Sequence, residues 1–85
     1  GYAVNFYTNN SLLESIVFSI NGKRYSYCNI SYSNGYLTSI KKYREHLNDE
    51  GQTISGLIED KSYDFNNLNY IIVRNNITNQ YKISL

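Results

Sequence analysis

Apolar and polar residues alternate at the start of the chain. Tyr2, Val4 and Phe6 interleave with Ala3, Asn5 and Tyr7, the two-residue period of a strand. Asn9-Asn10-Ser11 interrupts this run. Two longer runs follow, Glu14–Ile20 and Lys23–Tyr32, on either side of Asn21-Gly22. Asn-Gly between β-rich runs is the strongest short-range hairpin signal, because both central residues of a type I′ turn take positive φ. A two-residue loop then sets Ile20 against Lys23, Phe18 against Tyr25 and Ile16 against Tyr27. Ile16, Phe18, Tyr25 and Tyr27 share one face, and Ser15, Ser19, Arg24, Ser26 and Cys28 share the other.

After Tyr32 the period lengthens. Ser33-Asn34-Gly35 supplies capping residues, and Tyr36/Leu37, Ile40, Tyr43 and Leu47 recur at helical spacing. Lys41, Lys42, Arg44 and Glu45 fall on the opposite side. The pattern predicts an amphipathic helix that ends near Asn48, with Gly51 as a left-handed cap. Thr53–Lys61 fits either a short helix or an edge strand, and 62–67 reads as a loop. Leu68–Arg74 and Asn79–Leu85 form a second hairpin around a four-residue loop, Asn75–Thr78. That loop pairs Ile72 with Tyr81, Tyr70 with Ile83 and Leu68 with Leu85, which makes an apolar face. A two-residue Asn75-Asn76 loop would set Ile72 against Asn79 and would not. The expectation is a single α+β domain over residues 1–85: a small antiparallel, β-grasp-like sheet of two hairpins with one amphipathic helix packed on a face.

Composition narrows the function classes. The chain has 85 residues, 13 Asn, 10 Ser, 10 Tyr and 10 Ile, and 41% hydrophobic residues spread along its length. That apolar content argues for a folded chain over a polar disordered tract. One Cys excludes an internal disulfide, and one Cys with one His cannot fill a four-ligand zinc site without carboxylates. No apolar run approaches the roughly 20 residues of a membrane helix and no signal-peptide pattern opens the chain, so the expectation is a cytoplasmic protein with no membrane partner. The net charge of +1 selects no partner class. Asn, Tyr and Ile have AT-rich codons, which points to a low-GC genome or its phages and plasmids.

No group of residues carries a catalytic pattern. Cys28 has no cation or helix N-terminus beside it to activate a thiolate for a Cys28–His46 pair. The acidic residues Glu45, Asp49, Glu50, Glu59, Asp60 and Asp64 show neither calcium-loop spacing nor a converging pair. The run Ile54–Asp60 superficially resembles the helix of LAGLIDADG homing endonucleases. Lys61 stands at that family's metal-binding acid and Ser62 at its closing glycine, so the catalytic position is lost. No catalytic, metal or cofactor-binding residue is therefore assigned, and a non-enzymatic module is expected.

Two binding chemistries remain. Lys23 and Arg24 beside Tyr25, with Lys41, Lys42 and Arg44, mix cations with rings as single-stranded nucleic-acid binders do. The sequence pI of 8.0 is low for a dedicated binder. Ten tyrosines exceed what a core of this size can hide with each hydroxyl satisfied. Tyr2, Tyr7, Tyr32, Tyr36 and Tyr63 fall off the expected core faces or in loops, and Tyr with Asn and Ser is the chemistry of contact surfaces. Asn69–Leu85 resembles the closing hairpin of the β-grasp-like repeats of staphylococcal extracellular adherence proteins, a likeness that carries no functional residue, while Tyr and Asn also suit carbohydrate. In size and composition the chain resembles small phage-encoded inhibitors, including anti-CRISPR proteins. The leading expectation is a module that occludes a protein partner stoichiometrically. A weakly basic nucleic-acid binder is second, and a surface adhesion or sugar-binding module is third.

Overall fold

The computed structural model describes residues 1–67 and 70–84, and every strand among them belongs to one antiparallel sheet. The strands are β1 (Tyr2–Asn9), β2 (Leu12–Ile20), β3 (Lys23–Ser33), β4 (Tyr36–Leu47), β5 (Thr53–Asn67), β6 (Tyr70–Asn75) and β7 (Gln80–Ser84). Their spatial order is their chain order, so the sheet is a seven-strand meander. No helix occurs among the described residues. The α+β, β-grasp-like expectation is overturned, because the segment expected to be an amphipathic helix is the central strand β4.

The reason lies in the turns on either side. Asn34 and Gly35 have φ of 52° and 80°, almost those of Asn21 and Gly22 at 50° and 79°. Both pairs form two-residue reversals with positive φ at each central position, which match the twist of antiparallel strands. Asn34-Gly35 therefore returns the chain immediately onto β3, with Ser33 opposite Tyr36 and Ile30 opposite Ile40. At the far end Asn48 closes the turn into β5. Its Oδ1 accepts the backbone N–H of Glu50 and of Gln52, each at 2.9 Å. Gly51 takes the expected left-handed φ of 76°, but in this turn and not at a helix end. The residues at helical spacing are divided by the sheet: Ile40 points to one face, Tyr43 and Leu47 to the other.

Three more expectations need correction. In the first hairpin the Asn21-Gly22 turn and the Ile20–Lys23 pair stand, but a bulge at Tyr25 shifts the register beyond it. Phe18 then faces Ser26, Val17 faces Tyr27 and Ile16 faces Cys28, so Tyr27 and Cys28 lie on the faces opposite to those expected. Residues 53–61 are strand, and β5 continues through 62–67, where a loop was expected. In the last hairpin the four-residue turn is 76–79, one residue later than expected. Ile72 pairs with Ile83, and Arg74 with Tyr81. The slide preserves side-chain parity, so Ile72, Tyr81 and Ile83 still share a face. The expected Leu68–Leu85 pair lies outside the described residues.

Register assigns each side chain to a face. Face A carries Tyr2, Val4 and Phe6 from β1, Leu13, Ile16, Phe18 and Ile20 from β2, and Cys28, Ile30 and Tyr32 from β3. It continues through Leu37, Ile40, Lys42, Arg44 and His46 on β4, with Glu59, Lys61 and Tyr63 on β5. Face B carries Asn5, Tyr7, Ser15, Ser19, Arg24, Asn29, Ser31, Ser39, Lys41 and Glu45 among others. None of the described residues covers either face, and no described side chain, apolar or polar, is fully buried. The slab measures 47 × 31 × 19 Å.

Candidate binding surface

Side chains in a single layer are sheltered only by their neighbours in the same face, and cross-strand pairs therefore hold much of the order. On face A an aromatic ladder crosses three strands. Tyr2 stacks on Phe18 at 5.9 Å, and Phe18 meets Tyr25 edge-on, also at 5.9 Å. The Arg44 guanidinium lies 5.3 Å from the centre of the Tyr25 ring. The outer end of the ladder is open: Tyr2 is 78% exposed and Phe6 64%. Tyr32 is half-buried on the same face and donates its hydroxyl to the Leu13 carbonyl at 2.8 Å.

Face B has its own organised group, but a closed one. Tyr27 and Tyr43 are directly paired and stack at 4.8 Å, with the Arg24 guanidinium 4.2 Å above Tyr27. Arg24 Nε donates to Glu45 Oε1 at 2.6 Å, and Ser55 Oγ donates to Glu45 Oε2 at 2.9 Å. The Glu45 side chain is only 10% exposed. These groups satisfy one another across β3, β4 and β5, which marks a structural network more than a vacant site.

The tyrosines and cations singled out from sequence do not converge. Tyr2, Lys23, Tyr32, Lys42, Arg44 and Tyr63 lie on face A, while Tyr7, Arg24, Tyr36 and Lys41 lie on face B. Tyr36 packs against Phe65 at 5.7 Å, and Lys41 stands opposite Asp60. The expected grouping of Lys41 with Lys42 on one helical side is undone, since neighbours along a strand point to opposite faces. Phe6, Phe18, Ile16 and Ile20 are the residues that sequence reasoning misses as surface. The hairpin pattern places Ile16 and Phe18 on an apolar face, and no described residue covers that face. The regular alternation of β1 carries the signal for a one-sided face, although not for what covers it.

Charge on face A is unevenly placed. Lys23, Lys42, Arg44, Lys61 and Lys82 supply five of the eight basic residues, and Glu59 is the only acid that register assigns there among the described strand pairs. Glu59 and Lys61 form an ion pair at 3.1 Å, and the hydrogen bond and charge of Glu59 hold the Lys61 ammonium above its usual pKa. β1 and β2 contribute one charge near this face, Glu14, the exposed extra residue at a bulge, which lines an open concavity with Ile30 and Tyr32. Face A thus has an apolar half on β1–β3, with Lys23 at its turn end, and a basic half on β4–β7.

Cys28 and His46 both lie on face A but are not brought together. Cys28 pairs with Lys42, four residues before His46 on β4, a spacing of roughly 13 Å along a strand. Among the described residues no three His, Cys, Asp or Glu side chains are grouped as metal ligands. An open concavity near the last turn is lined by Lys61, Val73, Asn75, Gln80, Tyr81 and Lys82, with no nucleophile–base pair. No helix among the described residues is long and apolar enough to cross a membrane. No known protein family, curated protein or solved structure matches the chain.

Proposed function

We propose that the protein is a non-enzymatic binding module that lays the apolar half of face A on a polypeptide partner and acts by stoichiometric association. One observation carries this reading: the exposed Tyr2, Val4 and Phe6 of β1 pair with the half-buried Ile20, Phe18 and Ile16 of β2 to form a continuous apolar surface with no paired charge within it. Contiguous exposed apolar surface marks interaction sites in soluble proteins. The inhibitor character suggested by size and composition belongs to this proposal, as occlusion needs only such a surface. Capture by immobilised protein tests it, with the retained polypeptide being the same chain or another. Wild type and a face B variant, Tyr7→Lys, retain a polypeptide in stoichiometric amount, and Phe6→Lys does not. Equal retention by all three overturns the reading.

The basic half of face A supports a second reading, in which a single-stranded nucleic acid meets Lys42, Arg44, Lys61 and Lys82 while bases stack on Tyr25 and Tyr63. Its observation is the segregation of five cations to one face of a chain whose net charge is +1. Binding of an oligonucleotide that does not weaken with added salt rules it out.

A further inference from the structure

We infer that the occupant of the apolar half of face A is a second copy of the same chain, packed face to face across a two-fold axis near β2. This inference rests on the protein-binding reading above and names its partner.

Area gives the first argument. The chain exposes 6546 Å². A compact folded monomer of 9.9 kDa exposes about 5,200 Å². The excess of about 1,300 Å² is shared between two uncovered faces, about 650 Å² apiece. Covering one face on each of two copies then buries about 1,300 Å², within the standard interface range. A soluble domain hides its apolar faces between two packed layers, and this sheet supplies one. Two copies at the usual spacing of about 10 Å make the second.

Charge gives the second. An isologous contact requires a patch complementary to itself, since each residue meets the same surface of its mate. A charged patch fails that condition through like-charge repulsion, and an uncharged apolar one meets it. The paired residues of β1 and β2 bring no charge to face A, and the bulge residue Glu14 stands at the end of β2 away from the aromatic ladder, while Lys42, Arg44, Lys61 and Lys82 all lie on β4–β7. An overlap of β1–β3 about an axis near β2 leaves Lys42, Lys61 and Lys82 outside the contact and Arg44, 5.3 Å from the Tyr25 ring, at its rim. Lys23, at the turn end of β3 opposite Ile20, falls at the rim, where its ammonium reaches water. Tyr2 and Phe18 of the aromatic ladder then lie within the interface, where large rings contribute most, and Tyr25 lies toward its rim.

The competing mode of self-association is edge pairing through β1, which contains no charged residue and no proline to protect it. The two modes separate by experiment on the full chain. Mass is measured by sedimentation equilibrium for wild type, for Phe6→Lys on face A, and for Asn5→Lys on the same edge strand but face B. Phe6 is already exposed in the single chain, so its substitution leaves the sheet able to fold, and far-UV circular dichroism checks this. The expected result is twice the chain mass for wild type and Asn5→Lys, and half of that for Phe6→Lys. Cys28, opposite Ile16 on face A, provides a second readout: its alkylation is slow in the dimer and faster in Phe6→Lys. A dimer lost in Asn5→Lys and kept in Phe6→Lys overturns the inference in favour of edge pairing. A monomeric wild type also overturns it. If that monomer still captures another polypeptide that Phe6→Lys fails to retain, the protein-binding reading stands without self-association. If Phe6→Lys changes nothing in either assay, both fail.

Discussion

Replacing Gly35 by alanine separates a strand from a helix over residues 36–47 by the sign of its effect. In the sheet Gly35 has φ of 80°, and an added Cβ meets nothing within 4 Å. The substitution therefore adds no clash with another residue, and its whole cost is that of holding an L-residue in the left-handed region, about 1–2 kcal/mol. At the first turn of a helix the same change is neutral or favourable, since alanine exceeds glycine by up to about 1 kcal/mol in helix propensity. Gly22, with φ of 79° and equally open surroundings, is the internal reference. The two turns lie at opposite ends of the 11-residue strand β3, roughly 36 Å apart, so their effects add. Each single variant loses about 1–2 kcal/mol and roughly 4–16 °C in Tm, and the double variant about twice as much. Urea unfolding followed by far-UV circular dichroism measures this, with protein concentration held fixed because self-association adds to apparent stability. A destabilised Gly22→Ala beside an unchanged or stabilised Gly35→Ala refutes the reasoning.

Other substitutions test the turns, the networks and the ion pair. Ser11 holds φ of 65° in the β1–β2 turn, so Ser11→Gly relieves strain and raises stability by about 1 kcal/mol in the same urea experiment. Gly56 lies under the His46 ring, and a Cβ added there meets His46 Cε1 at 3.0 Å. His46 is exposed, so an outward turn of its ring accommodates the methyl and Gly56→Ala gains about 0.5 kcal/mol; a loss shows that the ring is held in place. Arg24→Ala removes both the guanidinium over Tyr27 and the partner of the sheltered Glu45 carboxylate, at a cost of about 1 kcal/mol, and Glu45→Gln recovers part of it. The raised pKa of Lys61 means that its ion pair with Glu59 contributes fully below the ordinary lysine value of 10.5. That contribution disappears as pH climbs through the folded-state value, and Glu59→Gln flattens stability in this alkaline window.

The first Asn-Gly reversal and the alternation of β1 were legible because one local rule decided each. The second Asn-Gly carried the same rule, but the apolar spacing of Tyr36, Ile40, Tyr43 and Leu47 agreed with a helix and masked it. That spacing is ambiguous in principle. In a strand covered on one face, polar residues fill the other and the period of two is plain. In β4 both faces are open, so Ile40 and Leu47 sit among Lys42, Arg44 and Glu45 with neither face purely apolar. A central strand without a core does not need a clean pattern. The bulge at Tyr25 was hidden for a related reason, because Tyr25 reaches Phe18 whether or not an extra residue intervenes, and only the exchange of Tyr27 for Cys28 reveals the slip.

The surplus of asparagine has a structural use in such a fold. A meander of seven strands has six reversals, and positive φ is the costly element of a tight one. Asn10, Asn21, Asn34 and Asn79 take φ between 50° and 56°, a region that asparagine tolerates better than other side chains except glycine's bare hydrogen. Asn48 and Asn76 act through their side chains. Asn48 Oδ1 gathers the amides of the β4–β5 turn, and Asn76 Nδ2 donates to Ser62 Oγ at 2.6 Å, tying the last turn to β5. Shape is thus fixed largely at the reversals, by local chemistry that needs no buried core. That arrangement frees the apolar residues of β1 and β2 from closing the fold of a single chain. Tyr2, Val4 and Phe6 shelter little from water in one copy, and an apolar strand in that position gains its stabilisation only when a second surface covers it. Sheet formation and coverage of face A are therefore separable events, and a variant such as Phe6→Lys can abolish the second while leaving the first intact.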